Sequence, residues 1–103
     1  MSNLIQTGKS VLLLVDDERE VVRSLRRLFR KKYSVLMAES AEEARSLMRE
    51  NPAQVVISDQ RMPHMTGAEL FHLLKDDYPD TIRILLTGYS DIEAVISAVN
   101  DGD

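Results

Sequence analysis

Val11-Leu12-Leu13-Leu14-Val15-Asp16-Asp17-Glu18 is an unbroken apolar run that ends abruptly in three acids. A strand with one wet face alternates apolar and polar residues, so a continuous aliphatic run reads as a strand covered on both faces, which is the signature of a parallel sheet. Three more runs repeat it: Ser34 to Ala38, Gln54 to Ser58 and Ile82 to Leu86, each rich in β-branched or long aliphatic residues.

Segments of helical period separate the runs. Val22, Leu25, Leu28 and Phe29 share one face, with Arg23, Arg26, Arg27 and Arg30 on the other. Ser40-Ala41-Glu42-Glu43 has the pattern of a capping box, in which a hydroxyl and an acid three residues on satisfy two backbone N–H groups, and it opens a helix presenting Ala44, Leu47 and Met48 inward. Thr66-Gly67-Ala68-Glu69 opens a third helix with Leu70, Leu73 and Leu74 inward. Ser90-Asp91-Ile92-Glu93 opens a fourth with Ile92, Val95, Ile96 and Val99, which Asn100-Asp101-Gly102 is suited to end. The order βαβαβαβα, with right-handed crossovers and helices on both faces, gives a doubly wound parallel α/β sheet.

The 103 residues fit one domain, expected over residues 10–103 behind a tail at 1–9. A hydrophobic fraction of 44% with 29% charged residues is that of a globular chain. A net charge of −4 argues against binding nucleic acid through a basic surface. The basic cluster Arg26, Arg27, Arg30, Lys31 and Lys32 reads as a solvated helix end, where the macrodipole favours cations. With no cysteine there is neither a disulfide framework nor a thiolate metal site. No apolar run approaches the roughly 18 residues of a membrane helix, and Met1 to Ser10 does not read as a secretory signal, so a cytoplasmic location and no membrane partner are expected.

In open parallel sheets ligands bind beyond the carboxyl ends of the strands. Strand one ends in Asp16-Asp17-Glu18, strand three in Asp59 and strand four in Thr87. Crowded carboxylates repel unless a cation or shared protons compensate them. The candidate ligands are hard oxygens, which points to Mg²⁺, with Mn²⁺ as the alternative, rather than Zn²⁺. A carboxylate beside such a metal can attack a phosphoryl group, and Thr87 could donate a hydrogen bond to a phosphoryl oxygen. Taken singly, Asp16 or Asp17 reads as a turn or cap residue; the combination with Asp59 and Thr87 favours the chemical reading.

At these residues the sequence resembles the receiver domains of two-component response regulators. The resemblance is carried by Val-Asp-Asp-Glu at 15–18, Ser-Asp-Gln-Arg-Met-Pro-His-Met-Thr-Gly at 58–67 and Leu-Leu-Thr-Gly-Tyr at 85–89. It implies that Asp59 is the phosphoacceptor, that Asp16 and Asp17 hold the metal with the backbone carbonyl of Arg61, and that Thr87 is the switch hydroxyl. It also implies a flavodoxin-like fold with strand order 2-1-3-4-5, a sensor histidine kinase or phosphotransfer protein as partner, small phosphodonors as substitutes, and a regulatory role rather than turnover of an external substrate. Receivers carry a fifth strand, with an aromatic residue and a lysine, and a fifth helix. These would fall beyond Asp103, and Lys9 and Lys75 match neither the motif nor a strand end. The expectation is therefore a receiver incomplete at its C-terminus, prone to dimerise or swap elements through strand four or the first-helix face.

Two rivals stay open: a docking module that keeps the fold without phosphotransfer, and a Mg²⁺-dependent phosphohydrolase, whose usual Asp-x-Asp is here Asp59-Gln60-Arg61. Nucleotide binding lacks any glycine-rich phosphate motif. His64 and His72 read as solvated, and Met37, Met48, Met62 and Met65 as core or loop packing. For Arg61 and Tyr89, each two residues beyond a site residue, the resemblance implies gates that adjust how fast water removes the phosphoryl group; the alternative is that both simply lie at the surface.

Overall fold

The first apolar run forms β1, Ser10–Val15, in the computed structural model, which describes residues 8–88, 91–94 and 96–97. After it come α1 (Arg19–Phe29), β2 (Tyr33–Ala38), α2 (Ala41–Glu50), β3 (Val55–Asp59), α3 (Gly67–Asp77) and β4 (Ile82–Leu86). Residues 91–94 and 96–97 are helical, at the place of the expected fourth helix. Every strand pairing is parallel and the order is β2-β1-β3-β4, the doubly wound order that the resemblance implies for its first four strands. Ser90, Val95, Val99 and the Asn100-Asp101-Gly102 stop lie outside the described residues.

Leu12 and Leu13 are 1% and 0% exposed although they point to opposite faces of the sheet. Leu13, with Val11, Val15 and Val56, packs under Ala41, Ala44 and Met48 of α2 and Leu70 and Leu74 of α3. Leu12 and Leu14, with Ile57 and Leu86, pack under Val22 and Leu25 of α1, with Leu28, Phe29 and Ile92 at the margin. One central strand therefore supplies two cores, which is why its sequence has no polar alternation.

The third strand begins at Val55, one residue later than expected. The Gln54 side chain accepts a hydrogen bond from the Val11 N–H at 2.6 Å, while its backbone bonds Val11 and Ile82, so Gln54 ties three strands together at their amino ends. Two inward assignments change. Leu73 is 40% exposed because α3 turns the Leu70 and Leu74 stripe to the sheet, and Met37 is 41% exposed because β2 is an edge strand whose outer face α1 only partly covers. On β4, Ile82 is 59% exposed, and no strand pairs with its far side among the described residues.

Both helix-opening motifs within the described residues cap their helices, though differently. At α3, Thr66 and Glu69 form the reciprocal box. At α2, Ser40 accepts from the Glu43 N–H, but the Glu43 carboxylate reaches one residue further back, to the Glu39 N–H at 2.8 Å.

Candidate functional site

The parallel register brings three strand ends to one side of the molecule. Val15 and Ser58 are partners across β1 and β3, and Asp59 and Leu86 across β3 and β4. Asp16 and Asp17 therefore leave the sheet beside Asp59, and Thr87 begins one residue beyond the partner of Asp59. Carboxylate oxygens of Asp16, Asp17 and Asp59 lie within 4.8 Å of one another. They open on a cleft of about 250 Å³ that Glu18, Val21, Arg61, Gly88 and Ile92 complete.

Asp16 is held at both ends. Its N–H donates to the Ala38 carbonyl at 3.1 Å and its Oδ1 accepts the Glu18 N–H at 2.8 Å, the turn geometry typical of aspartate. The bland role and the chemical one thus coexist in one side chain. Burial pushes the Asp16 carboxyl up to about 6; the Glu18 N–H opposes this, and the charges of Asp59, Asp17 and Glu18 add to it. Asp59 is also raised, first by burial, against backbone hydrogen bonds from Arg61 and Gln60, with the charge of Asp17 pushing upward and that of Arg61 downward. Both shifts arise first from burial, with the crowded negative charge adding to it and Arg61 offsetting only part at Asp59.

The segment after Asp59 is tightly pinned. The Ser58 hydroxyl donates to the Asp59 carbonyl at 2.9 Å. Gln60 donates its N–H to Leu86, accepts the Gly67 N–H on its carbonyl and accepts the Ala68 N–H at 2.9 Å on its side chain. Within this segment the Met65 N–H donates to the Pro63 carbonyl at 2.8 Å, closing a three-residue turn centred on His64 at φ 71°.

Of the residues singled out from sequence, the structure brings Asp16, Asp17, Asp59 and Arg61 to the cleft. Thr87 stands beside it with its hydroxyl elsewhere, donating to Asp91 Oδ2 at 2.7 Å while its N–H donates to the same oxygen at 2.6 Å. Tyr89 lies outside the described residues. Sequence reading missed Asp91 as a partner of Thr87, having placed it only as a helix opener. The four-residue spacing was the available signal, since the same spacing joins Glu39 to Glu43.

A family model for the response regulator receiver domain matches residues 12–102. The chain is 39% identical over 93 residues to the hydrogenase transcriptional regulatory protein HoxA of Cupriavidus necator, covering 90% of this chain and 19% of that protein. It is 35% identical over 92 residues to the C4-dicarboxylate transport transcriptional regulatory protein DctD of Rhizobium meliloti, covering 88% of this chain and 20% of the relative. The chain thus spans about a fifth of these curated relatives. Among solved structures, the signal receiver domain of an HD domain-containing protein from Pseudomonas fluorescens superposes with a TM-score of 0.75 at 33% identity, covering 91% of this chain and 76% of the other. The chemotaxis protein CheY4 of Vibrio cholerae gives a TM-score of 0.73 at 25% identity, covering 85% of this chain and 81% of the other.

Proposed function

Because this chain belongs to the response regulator receiver domains of two-component signalling, we propose that Asp59 accepts a phosphoryl group beside a divalent cation held by Asp16, Asp17, Asp59 and the backbone carbonyl of Arg61. The observation that carries the reading is the meeting of three carboxylates from two adjacent strand ends within 4.8 Å. The donor set fits Mg²⁺, or Mn²⁺ in its place: hard oxygens in a cleft with room for retained waters, and an Asp16 carboxyl that burial and its neighbours' charges leave poised near 6. When bound, the cation supplies charge neutralisation at the transferring oxygens.

The chain's own residues do the rest. Asp59 presents its carboxylate at a strand end, oriented by backbone hydrogen bonds from Arg61 and Gln60, with its carbonyl fixed by Ser58. A lone pair of the Asp59 carboxylate forms the new O–P bond while the bond from phosphorus to the donor's leaving atom breaks, the electron pair departing with the donor. That donor is a phosphohistidine of a sensor kinase or phosphotransfer protein, or a small acyl phosphate. Thr87 moves its hydroxyl onto a phosphoryl oxygen. The chain acts as a regulated switch in the cytoplasm rather than as an enzyme on an external ester. HoxA and DctD are transcriptional regulatory proteins, which supports transcription as the output of the protein in which this chain works.

Acetyl phosphate with Mg²⁺ tests this. Asp59 is the labelled residue, labelling needs the metal, and Asp59→Asn abolishes it. Asp17→Ala removes a direct ligand and weakens metal binding by at least the roughly tenfold that loss of an outer-shell partner costs. Undiminished label on the Asp59→Asn chain would overturn the assignment.

A further inference from the structure

A hydroxyl has one hydrogen to donate, and in this structure the hydrogen of Thr87 is committed to Asp91 at 2.7 Å. We propose that Asp91 is a positioning residue that holds the Thr87 hydroxyl away from Asp59, so that capture of a phosphoryl group by Thr87 must first break the bond to Asp91. This rests on the reading of Asp59 as phosphoacceptor and adds to it a competitor that sets how strongly the phosphoryl group engages Thr87.

The placement follows from the backbone. Leu86 is the Cα partner of Asp59, and the Gln60 N–H donates to the Leu86 carbonyl at 2.9 Å, so the two strand ends are locked together. Adjacent strands run about 4.8 Å apart, which leaves Thr87 within a side-chain rotation of a group carried on Asp59. Asp91 is placed just as firmly. Its N–H and that of Ile92 donate to the Gly88 carbonyl at 3.1 and 3.4 Å, so the first turn of the helical segment aims the carboxylate back at Thr87. The hydrogen bonds from Thr87 also favour the charged form of Asp91, the side-chain one most, which keeps it an acceptor with no hydrogen of its own to give.

The same double contact occurs in a plain cap, since at α3 Glu69 accepts both the N–H and the hydroxyl of Thr66. Asp91 likewise accepts both the N–H and the hydroxyl of Thr87, but here the hydroxyl belongs to the residue that follows the strand partner of Asp59. Replacing Thr87 with valine removes the second bond and leaves the first, which separates capping from competition.

The test titrates this chain with beryllium fluoride, a phosphoryl mimic that binds aspartate carboxylates, in saturating Mg²⁺, following the Asp59 backbone amide by NMR. Removing a net hydrogen bond on the competing side should lower the half-saturating concentration roughly two- to tenfold in Asp91→Ala. Asp91→Asn, which keeps a neutral acceptor, should fall between it and the parent. In a Thr87→Val background the same Asp91 replacements should leave the half-saturating concentration unchanged, because the coupling runs through the hydroxyl. No tightening with threonine present, or equal tightening with valine present, overturns the proposal while leaving the phosphoacceptor reading intact. A chain that binds beryllium fluoride in no variant overturns both.

Discussion

The carbonyl oxygen of Asp59 lies 2.5 Å from the point where a side chain on Gly67 would begin, closer than any Cβ tolerates. Leu85 Cδ1 at 2.6 Å and Ser58 Oγ at 3.0 Å crowd the same point. The first turn of α3 is thus seated directly on the strand end that carries the acceptor. Leu85 can yield, but the Asp59 carbonyl is backbone and also accepts the Ser58 hydroxyl. Gly67→Ala is therefore expected to destabilise the chain by about 1–3 kcal/mol, as overpacking does. It should also slow acetyl phosphate labelling by shifting Asp59. A urea midpoint and labelling rate both equal to the parent's would show that α3 moves aside without cost.

The burial of Asp16, with its crowding by other carboxylates, predicts an unusual pH dependence. Asp16 titrates near 6 in the folded chain against an ordinary value of 3.8, so between those values the folded state holds its proton more tightly than the unfolded state does. Stability from this group is therefore present at low pH and lost as pH rises from about 4 to about 6. The gap between 3.8 and about 6 corresponds to at most about 3 kcal/mol. Asp59 shifts in the same direction. Glu69 and Asp91 shift downward from 4.5 and 3.8, so their contributions have the opposite sign, are lost as pH falls through and below those values, and change little between about pH 5 and about pH 7.5. In EDTA the urea midpoint should be higher at about pH 5 than at about pH 7.5. Millimolar Mg²⁺ should restore it at the higher pH and act little at the lower, since binding to the folded state alone stabilises by mass action. Asp16→Asn should flatten the profile. A metal-free chain more stable at the higher pH contradicts the raised Asp16 carboxyl.

Much of this was legible before any coordinates. The unbroken run from Val11 to Val15 announces a doubly covered strand, and the acids that follow it can only emerge at its carboxyl end. Once four such runs alternate with helical segments, parallel pairing puts Asp16, Asp17 and Asp59 at the same edge of the sheet, and the strand order that the resemblance implies sets the first and third strands side by side. What stayed hidden depends on neighbours rather than on pattern. Leu73 satisfies the helical period as well as Leu74 does, yet only the tilt of α3 on the sheet decides which is covered. Likewise Met37 carries a core residue's chemistry in an edge strand, and Thr87 was read as facing the cleft because sequence position does not fix a rotamer. The pairing of Gln54 with Val11 is a side chain imitating a strand neighbour, which no periodicity reports.

His64 occupies φ 71°, in the left-handed region, and the turn it centres is closed by the Met65 N–H on the Pro63 carbonyl at 2.8 Å. A three-residue turn with a positive central φ is the rarer and more strained of the two kinds, and any Cβ in it is unfavourable. Glycine adopts that backbone without strain but loses more freedom on folding, so the two effects partly offset. His64→Gly should leave the chain between unchanged and about 1 kcal/mol more stable, and His64→Val, β-branched at the same angle, should cost at least about 1 kcal/mol. His64 is exposed, so neither result can come from lost packing in the core. The turn lies between Asp59 and the Thr66 cap of α3, on the segment that carries the Arg61 carbonyl. Relief of strain there should appear in metal affinity as well as in stability if the turn helps hold that carbonyl in place. Thermal melts of the two variants with and without Mg²⁺ check both expectations, and a valine variant as stable as the parent would mean that His64 is not held in this turn in solution.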